Sequence, residues 1–194
     1  MRPFCIRHSF LAYNTDMSQK RKCMIYAIVG FFVVNVLGSL FHFVYEWTGN
    51  AKWAAFFFAV NESVWEHLKL ILLPMTLFAL IAAIPMRGEP NRLAALGWGM
   101  TAACAFVVVG FYAYTAIVGK SIIAVDISLF TLSIALGYWV QYLVMTRFVH
   151  AWVVWIGRIL AIVWWIMFAL FTFFPPQCTL FRDPISGGYG IVQG

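Results

Sequence analysis

The chain has 194 residues, of which 63% are hydrophobic and 10% are charged. Charged residues make up about a quarter of an average soluble domain, so this composition excludes a soluble globular protein and indicates a polytopic membrane protein. The formal net charge of +6 arises from short basic clusters between apolar runs, a pattern that sets membrane topology, so we expect membrane lipids and not nucleic acid as partners.

Hydrophobic runs long enough to cross a bilayer, about 20 residues each, predict an all-α bundle of about five transmembrane helices. Residues 1–22 include the basic cluster Lys20-Arg21-Lys22 and are predicted to form a cytoplasmic arm. Residues 53–60 are apolar but too few to cross, which predicts a re-entrant or interfacial segment. Residues 23–174 form the predicted transmembrane domain, and residues 175–194 form an outer tail. The predicted spans are residues 23–47, 61–86, 93–118, 121–145 and 151–174.

The basic residues predict the orientation of the bundle. Five spans place the two termini on opposite sides of the membrane, and cytoplasmic segments are enriched in Lys and Arg. With the N-terminus in the cytoplasm, the outer segments carry only Lys52, Lys120 and Arg182. The inner segments then carry Arg2, Arg7, Lys20, Arg21, Lys22, Arg87, Arg92 and Arg147. We therefore predict an inner N-terminus and an outer C-terminus.

Residues 61–69 read Asn-Glu-Ser-Val-Trp-Glu-His-Leu-Lys and place four ionisable groups directly before a long apolar run. At about 100° per residue, Glu62, Glu66 and Lys69 fall on one stripe of a helix, with His67 on its flank. Ionisable groups in membrane spans are costly and usually serve a function. This nine-residue motif therefore predicts a site at the outer start of the second span.

A second polar stripe follows the first span, where Asn35, Ser39, His42 and Glu46 are spaced 4, 3 and 4 residues apart. A short connection predicts that the first two spans are antiparallel neighbours, which brings this stripe opposite the motif. Imidazole and carboxylate groups together suit zinc, manganese or iron, so the predicted cofactor is a divalent metal. The candidate metal ligands are His42, Glu46, Glu62, Glu66 and His67.

The same residues have other interpretations, which the sequence leaves open. In a metal site, Glu62 or Glu66 would also act as the catalytic general base. In a purely structural set, Asn61 caps the helix, Glu62 complements its dipole and Glu66 pairs with Lys69. In a third interpretation the residues form a metal-free polar site or proton relay.

Three residues outside this set are candidates for contacting a substrate: Lys69, Arg158 and Asp183. The two cations lie inside predicted spans, where each could hold an anionic group or pair within the bundle. The tail contains the turn-forming pairs Asp183-Pro184 and Gly187-Gly188. It is predicted either to fray or to form a lid over the outer mouth, in which Arg182 or Asp183 completes the site.

Three motifs give the chain a resemblance to an uncharacterised family of small bacterial polytopic membrane proteins. The resemblance implies a membrane fold in a bacterial plasma membrane and assigns no chemistry. Membrane hydrolases that hold zinc with three histidines are not matched, because no HxxxH occurs. The motifs are His42-Phe43-x-Tyr45, Asn61-Glu62-Ser63-x-Trp65-Glu66-His67-x-Lys69 and Phe181-x-Asp183-Pro184-x-Ser186-Gly187-x-Tyr189-Gly190.

The leading functional prediction is an integral membrane protein with an outward-facing, metal-assisted carboxylate and histidine site that acts on a lipid-like or small amphipathic molecule. The alternatives are a transporter or substrate-binding subunit for a small solute or cation, and a structural membrane subunit. Transport requires access from both faces, whereas most acidic residues are predicted on the outer side, which favours the first prediction. The sequence identifies no protein partner and does not decide whether the protein is an enzyme. The outer acidic residues are Glu46, Glu62, Glu66, Asp126 and Asp183.

Overall fold

A computed structural model describes the backbone of residues 4–147 and 150–191, and the side chains within those ranges from Met17 onward. Over these residues the protein is all α-helical, as the sequence predicts, apart from a 3₁₀ turn at Thr179–Phe181. The helices are α1 (Phe4–Trp47), α2 (Lys52–Phe57), α3 (Val64–Ile81), α4 (Arg92–Val118), α5 (Ile123–Thr146) and α6 (Ala151–Phe173).

Five of the described helices are long and apolar enough to cross a membrane, which confirms the predicted number of spans. The remaining helix, α2, has only six residues and lies in the short segment that the sequence predicts not to cross. In α1 the candidate span covers Met17–Trp47, the part whose side chains are described, and the helix begins at Phe4.

The second span is shorter than the hydrophobic pattern predicts. Helix α3 starts after Ser63, whose hydroxyl accepts a hydrogen bond from the backbone N–H of Glu66 at 3.3 Å and caps the helix. The prediction that Asn61 is the cap is therefore wrong, and Glu62 precedes the helix instead of lying on its stripe. At the other end, Arg92 donates to the carbonyl oxygen of Ala83 at 2.7 Å, which satisfies a carbonyl freed where the helix stops.

Helix α3 is the most buried span and packs between α1 and α4, while α4 also packs against α5 and α6. The crossing of α4 and α6 is a backbone contact. A Cβ at Gly97 would lie 1.9 Å from the carbonyl oxygen of Gly157, so any side chain there would separate the helices. Small residues thus replace large apolar ones at this interface, because lipid chains solvate large side chains as well as a neighbouring helix does.

The antiparallel order of the spans collects several chain ends at one end of the bundle. There the C-termini of α1, α4 and α6 meet the N-termini of α3 and α5, together with α2 and the tail after α6. We call this the Glu62 end, and it is the end that the basic residues predict to be outside. The opposite end is named the Arg92 end.

Candidate metal centre

Three side chains from different parts of the chain converge at the Glu62 end. His42 comes from the last turns of α1, Glu62 from the segment before α3 and His67 from the first turn of α3. One carboxylate oxygen of Glu62 lies 3.6 Å from Nε2 of His42, and the other lies 3.4 Å from Nε2 of His67. One ligand atom from each residue lies within 4.8 Å of the others. The end of α1 and the segment before α3 therefore bring His42 and Glu62 together, as the predicted antiparallel arrangement of the first two spans implies.

The orientation of His67 is fixed by its own helix. Its Nδ1 lies 2.9 Å from the carbonyl oxygen of Ser63, which can only accept, so Nδ1 carries the proton in the neutral ring. The lone pair is then on Nε2 and faces the Glu62 carboxylate. A lone pair facing a carboxylate is repulsive unless a cation separates them or the ring is protonated. Histidines that bind metals characteristically donate their other N–H in this way.

The distances around Glu62 fit a bridging cation better than direct hydrogen bonds. Charge-assisted N–H···O bonds are usually about 2.7–2.9 Å long, whereas both His–Glu62 distances are 3.4 Å or more. Two ligands that each lie about 2.0–2.1 Å from a tetrahedral zinc are about 3.4 Å apart. Two imidazoles and one carboxylate are also a donor set that zinc, iron and manganese accept. The three residues therefore fit a metal.

The electrostatics of Glu62 favour its charged form. When the ring of His67 is protonated, it lowers the pKa of this carboxyl most, as a hydrogen-bond donor and by its charge, and the charge of His42 lowers it further. Burial and the negative charge of Asp183 act in the opposite direction but do not reverse the shift. Glu62 is thus held as a carboxylate at neutral pH, which is the state that binds a cation.

Glu66 and Lys69 do not take part in this group. Both are buried, and the ammonium of Lys69 lies 2.7 Å from the Glu66 carboxylate. The same ammonium donates to the carbonyl oxygen of Ala55 at 2.9 Å, and the carboxylate accepts from the backbone N–H of Val60 at 3.1 Å. The pair, predicted from its i, i+3 spacing, therefore anchors α2 and the segment after it to α3.

Two other candidates lie away from the group. Glu46 is exposed at the end of α1 and is not one of the three converging residues. The guanidinium of Arg158 lies 5.4 Å from the centre of the Trp155 ring, a cation–π contact. Arg158 is ten residues before Phe168, which packs against Trp65 beside the site, so it lies about 15 Å further along α6.

The tail folds back onto the motif. Asp183 and Gly188 form a backbone hydrogen bond of 2.9 Å that closes a hairpin, and the amide of Asn61 donates to the carbonyl oxygen of Gly190 at 2.7 Å. The ring of Phe181 lies 4.8 Å from that of Trp65. The described part of the tail is therefore docked and not frayed, and two of the recognised motifs contact each other. The spacing of residues in the sequence does not predict this contact, because about 120 residues separate the two motifs.

The buried carboxylate of Asp183 stabilises the hairpin of the tail by accepting hydrogen bonds. Burial raises the pKa of this carboxyl, but hydrogen bonds from the Ser186 hydroxyl and from the backbone N–H groups of Ile185, Ser186 and Glu62 lower it overall. The last of these bonds ties the hairpin to the backbone of the candidate ligand. Asp183 is therefore placed to position Glu62, and its oxygens are already engaged by the protein.

An apolar cavity of about 330 Å³ opens beside the converging residues, between α3, α4, α5 and the tail. Glu62 and His67 contribute to one side of its wall, and the rest of the wall is mostly aliphatic and aromatic. Asp126 also lines it, but this carboxylate accepts hydrogen bonds from the hydroxyls of Ser121, at 2.5 Å, and Tyr114. The apolar side chains of the wall include Ile71, Val107, Phe111, Leu129, Phe130 and Ile185.

Comparison with known proteins gives a family and no function. A model of a family of unknown function, DUF6512, matches residues 13–191. No curated protein and no solved structure matches the chain. The match covers most of the chain, so the resemblance to an uncharacterised family is confirmed at that level, and the chemistry has to be inferred from the site itself.

Proposed function

We propose that this chain, which belongs to the DUF6512 family, holds a divalent metal on His42, Glu62 and His67 at the outer face of a membrane and acts on an amphipathic molecule. The observation that carries the proposal is the convergence of two imidazoles on one ionised carboxylate, with one ligand atom of each residue within 4.8 Å of the others. Zinc is the best fit among the candidate metals, because two histidines and one carboxylate are a ligand set of catalytic zinc sites.

Three protein ligands distinguish a catalytic zinc site from a structural one. Structural zinc sites use four protein ligands, whereas catalytic sites use three and leave a position for water or a substrate atom. A metal bound in this way lowers the pKa of a coordinated water and polarises a substrate oxygen. Glu62 is partly exposed, with 41% of its side-chain surface accessible, so a water molecule or substrate can approach this position.

The residues of the chain supply positioning and proton transfer. The two oxygens of Glu62 face different histidines. Glu62 would help to hold a metal, and its carboxylate would be the nearby base for a proton from water. Ser63 fixes the ring of His67, and Asp183 fixes the backbone of Glu62. The apolar cavity beside them supports an amphipathic substrate, because it can accept a chain from the membrane while the polar group stays at the site.

Metal analysis of the purified protein tests the proposal. We expect about one zinc per chain after exchange into a mild detergent with a weak chelator. His42→Ala, Glu62→Gln and His67→Ala should each reduce the zinc content at least tenfold, because loss of one ligand from three leaves only two protein donors.

Matched controls separate ligation from general damage. Glu46→Gln removes a carboxylate one turn from His42, and His150→Ala removes an exposed imidazole at the start of α6. Both variants should retain the metal. Zinc loss in Glu46→Gln would contradict the three-ligand assignment, and absence of any tightly held metal from the unaltered protein would remove the proposed function.

A further inference from the structure

A second cavity, of about 410 Å³, meets the apolar one at Glu62. Its wall includes Tyr112 of α4 and the tail residues Thr179, Arg182 and Asp183. The two cavities share Glu62, Val64, Phe111 and Pro184, so they are two arms of one site with the candidate metal ligand between them. The first arm is apolar and runs between the spans, whereas the wall of the second arm adds the polar tail side chains of Thr179, Arg182 and Asp183.

The wall of the second arm contains a cation, Arg182, beside the carboxylates of Glu62 and Asp183. The Arg182 side chain is exposed and makes no hydrogen bond or ion pair with the residues that the structure describes. The neighbouring carboxylate of Asp183 is turned into the hairpin, where Ile185 and Ser186 donate to it. The guanidinium is therefore an available cation within the wall of the second arm. A planar guanidinium with free N–H donors is suited to phosphate-type oxyanions.

The cations that the sequence offers for this role are placed elsewhere. Lys69 is buried and bonded to Glu66 and to backbone carbonyls, so it has no access to either arm. Arg158 lies deep along α6 against Trp155. Arg182 is thus the residue whose position and free donors match an anionic group next to Glu62.

We propose that the substrate is an amphiphile with one apolar chain and a phosphate-type anionic headgroup. The chain occupies the arm between α3, α4 and α5, the headgroup is bound by Arg182, and the bond to be acted on lies at Glu62. The apolar arm is at the small end of ligand cavities, which suits one chain and not two. This assignment rests on the proposed metal site for its reaction and on the two cavities for its binding.

Binding of dodecyl phosphate to the protein in phosphatidylcholine nanodiscs tests the assignment. Arg182→Gln should weaken binding of radiolabelled dodecyl phosphate about tenfold or more, because a charge-assisted contact is lost. Dodecanol should compete equally well in both proteins, since it uses only the apolar arm. Inorganic phosphate, which lacks the chain, should compete weakly. Val107→Trp should weaken both dodecyl ligands by filling the arm.

Lys120→Gln is the matched control, because Lys120 is another exposed cation at the Glu62 end. It should leave binding unchanged; an equal loss in Lys120→Gln and Arg182→Gln would show general surface attraction and overturn the assignment. Zinc content is measured on the same samples. If zinc is retained and Arg182→Gln binds normally, the headgroup assignment fails alone. If the unaltered protein holds no zinc and Arg182→Gln still weakens binding, the metal site fails and the amphiphile site stands.

Discussion

At the scale of single residues, two adjacent residues of the motif have different roles. Glu66 and His67 are adjacent in sequence and point about 100° apart on α3. As a result, His67 faces Glu62 at the surface, whereas Glu66 faces Lys69 in the interior. Adjacent side chains on one helix can therefore have different roles, because the helix directs them towards different partners.

The stability provided by Asp183 should depend on pH. The folded-state pKa of Asp183 is lowered, so its contribution is complete above the usual pKa of about 3.9 and is lost as the pH falls through the lower folded value. In metal-free protein, Asp183→Asn should lower the melting temperature at pH 6 by several degrees. The difference between the two proteins should shrink at pH 3.

Both proteins carry Glu62→Gln in this comparison, because the charge of Asp183 shifts the pKa of Glu62 and the titration of Glu62 would otherwise not cancel. A difference in melting temperature that stays constant from pH 6 to pH 3 would mean that the Asp183 carboxylate does not stabilise the tail through its charge.

At the scale of elements, the short helix α2 depends on α3 for its position. Six residues are too few to form a stable helix alone, and its C-terminal carbonyls need donors. The ammonium of Lys69 supplies them at Ala55 and, at 3.4 Å, at Phe58. The ring of Phe58 also packs 5.1 Å from that of Phe41 on α1. The buried ion pair thus holds the connection between the first two spans, and with it the approach of α1 to Glu62.

Breaking this pair should destabilise the protein without removing the metal directly. Lys69→Met leaves the Glu66 carboxylate buried without its cation, which costs about 3–5 kcal/mol and should lower the melting temperature by roughly 10 °C. The double variant Glu66→Gln with Lys69→Met should recover part of this loss, because no charge then remains buried.

Zinc content in samples kept below the melting temperature provides the second measurement. It should be retained in the single variant Glu66→Gln, since Glu66 is engaged with Lys69 and not with the three candidate ligands. A zinc loss equal to that of Glu62→Gln would place Glu66 in the metal site after all.

At the scale of the whole molecule, the candidate site is confined to one end of the bundle, although the opposite end also holds a buried carboxylate, Glu89. The three converging side chains, both arms of the site and the docked tail all lie at the Glu62 end. The Arg92 end has a cavity of about 620 Å³, whose wall is almost entirely apolar apart from Tyr26, Thr76, Arg92 and Trp165. This asymmetry suits a protein that works at one face of the membrane more than a transporter.

Cysteine labelling should establish which face this is. In a Cys5→Ser background, Cys178 is exposed at the Glu62 end and should react with an impermeant maleimide added to intact cells. A cysteine introduced by Arg87→Cys, in the turn at the Arg92 end, should react only after permeabilisation. The buried Cys104 should react slowly in both conditions. The reverse pattern for Cys178 and Arg87→Cys would place the candidate site in the cytoplasm.

The sequence by itself determined the fold class, the five spans and the convergence of His42 with the motif. These follow from hydrophobic length, helical periodicity and the short connection between the first two spans, which are local properties of the chain. It could not determine that Ser63 and not Asn61 caps α3, because the choice depends on how the tail and α2 pack around the start of that helix. It also could not separate Glu62 from Glu66, or select Arg182 over Lys69. Those assignments depend on which partners the folded chain brings within a few ångströms, and only tertiary packing decides that.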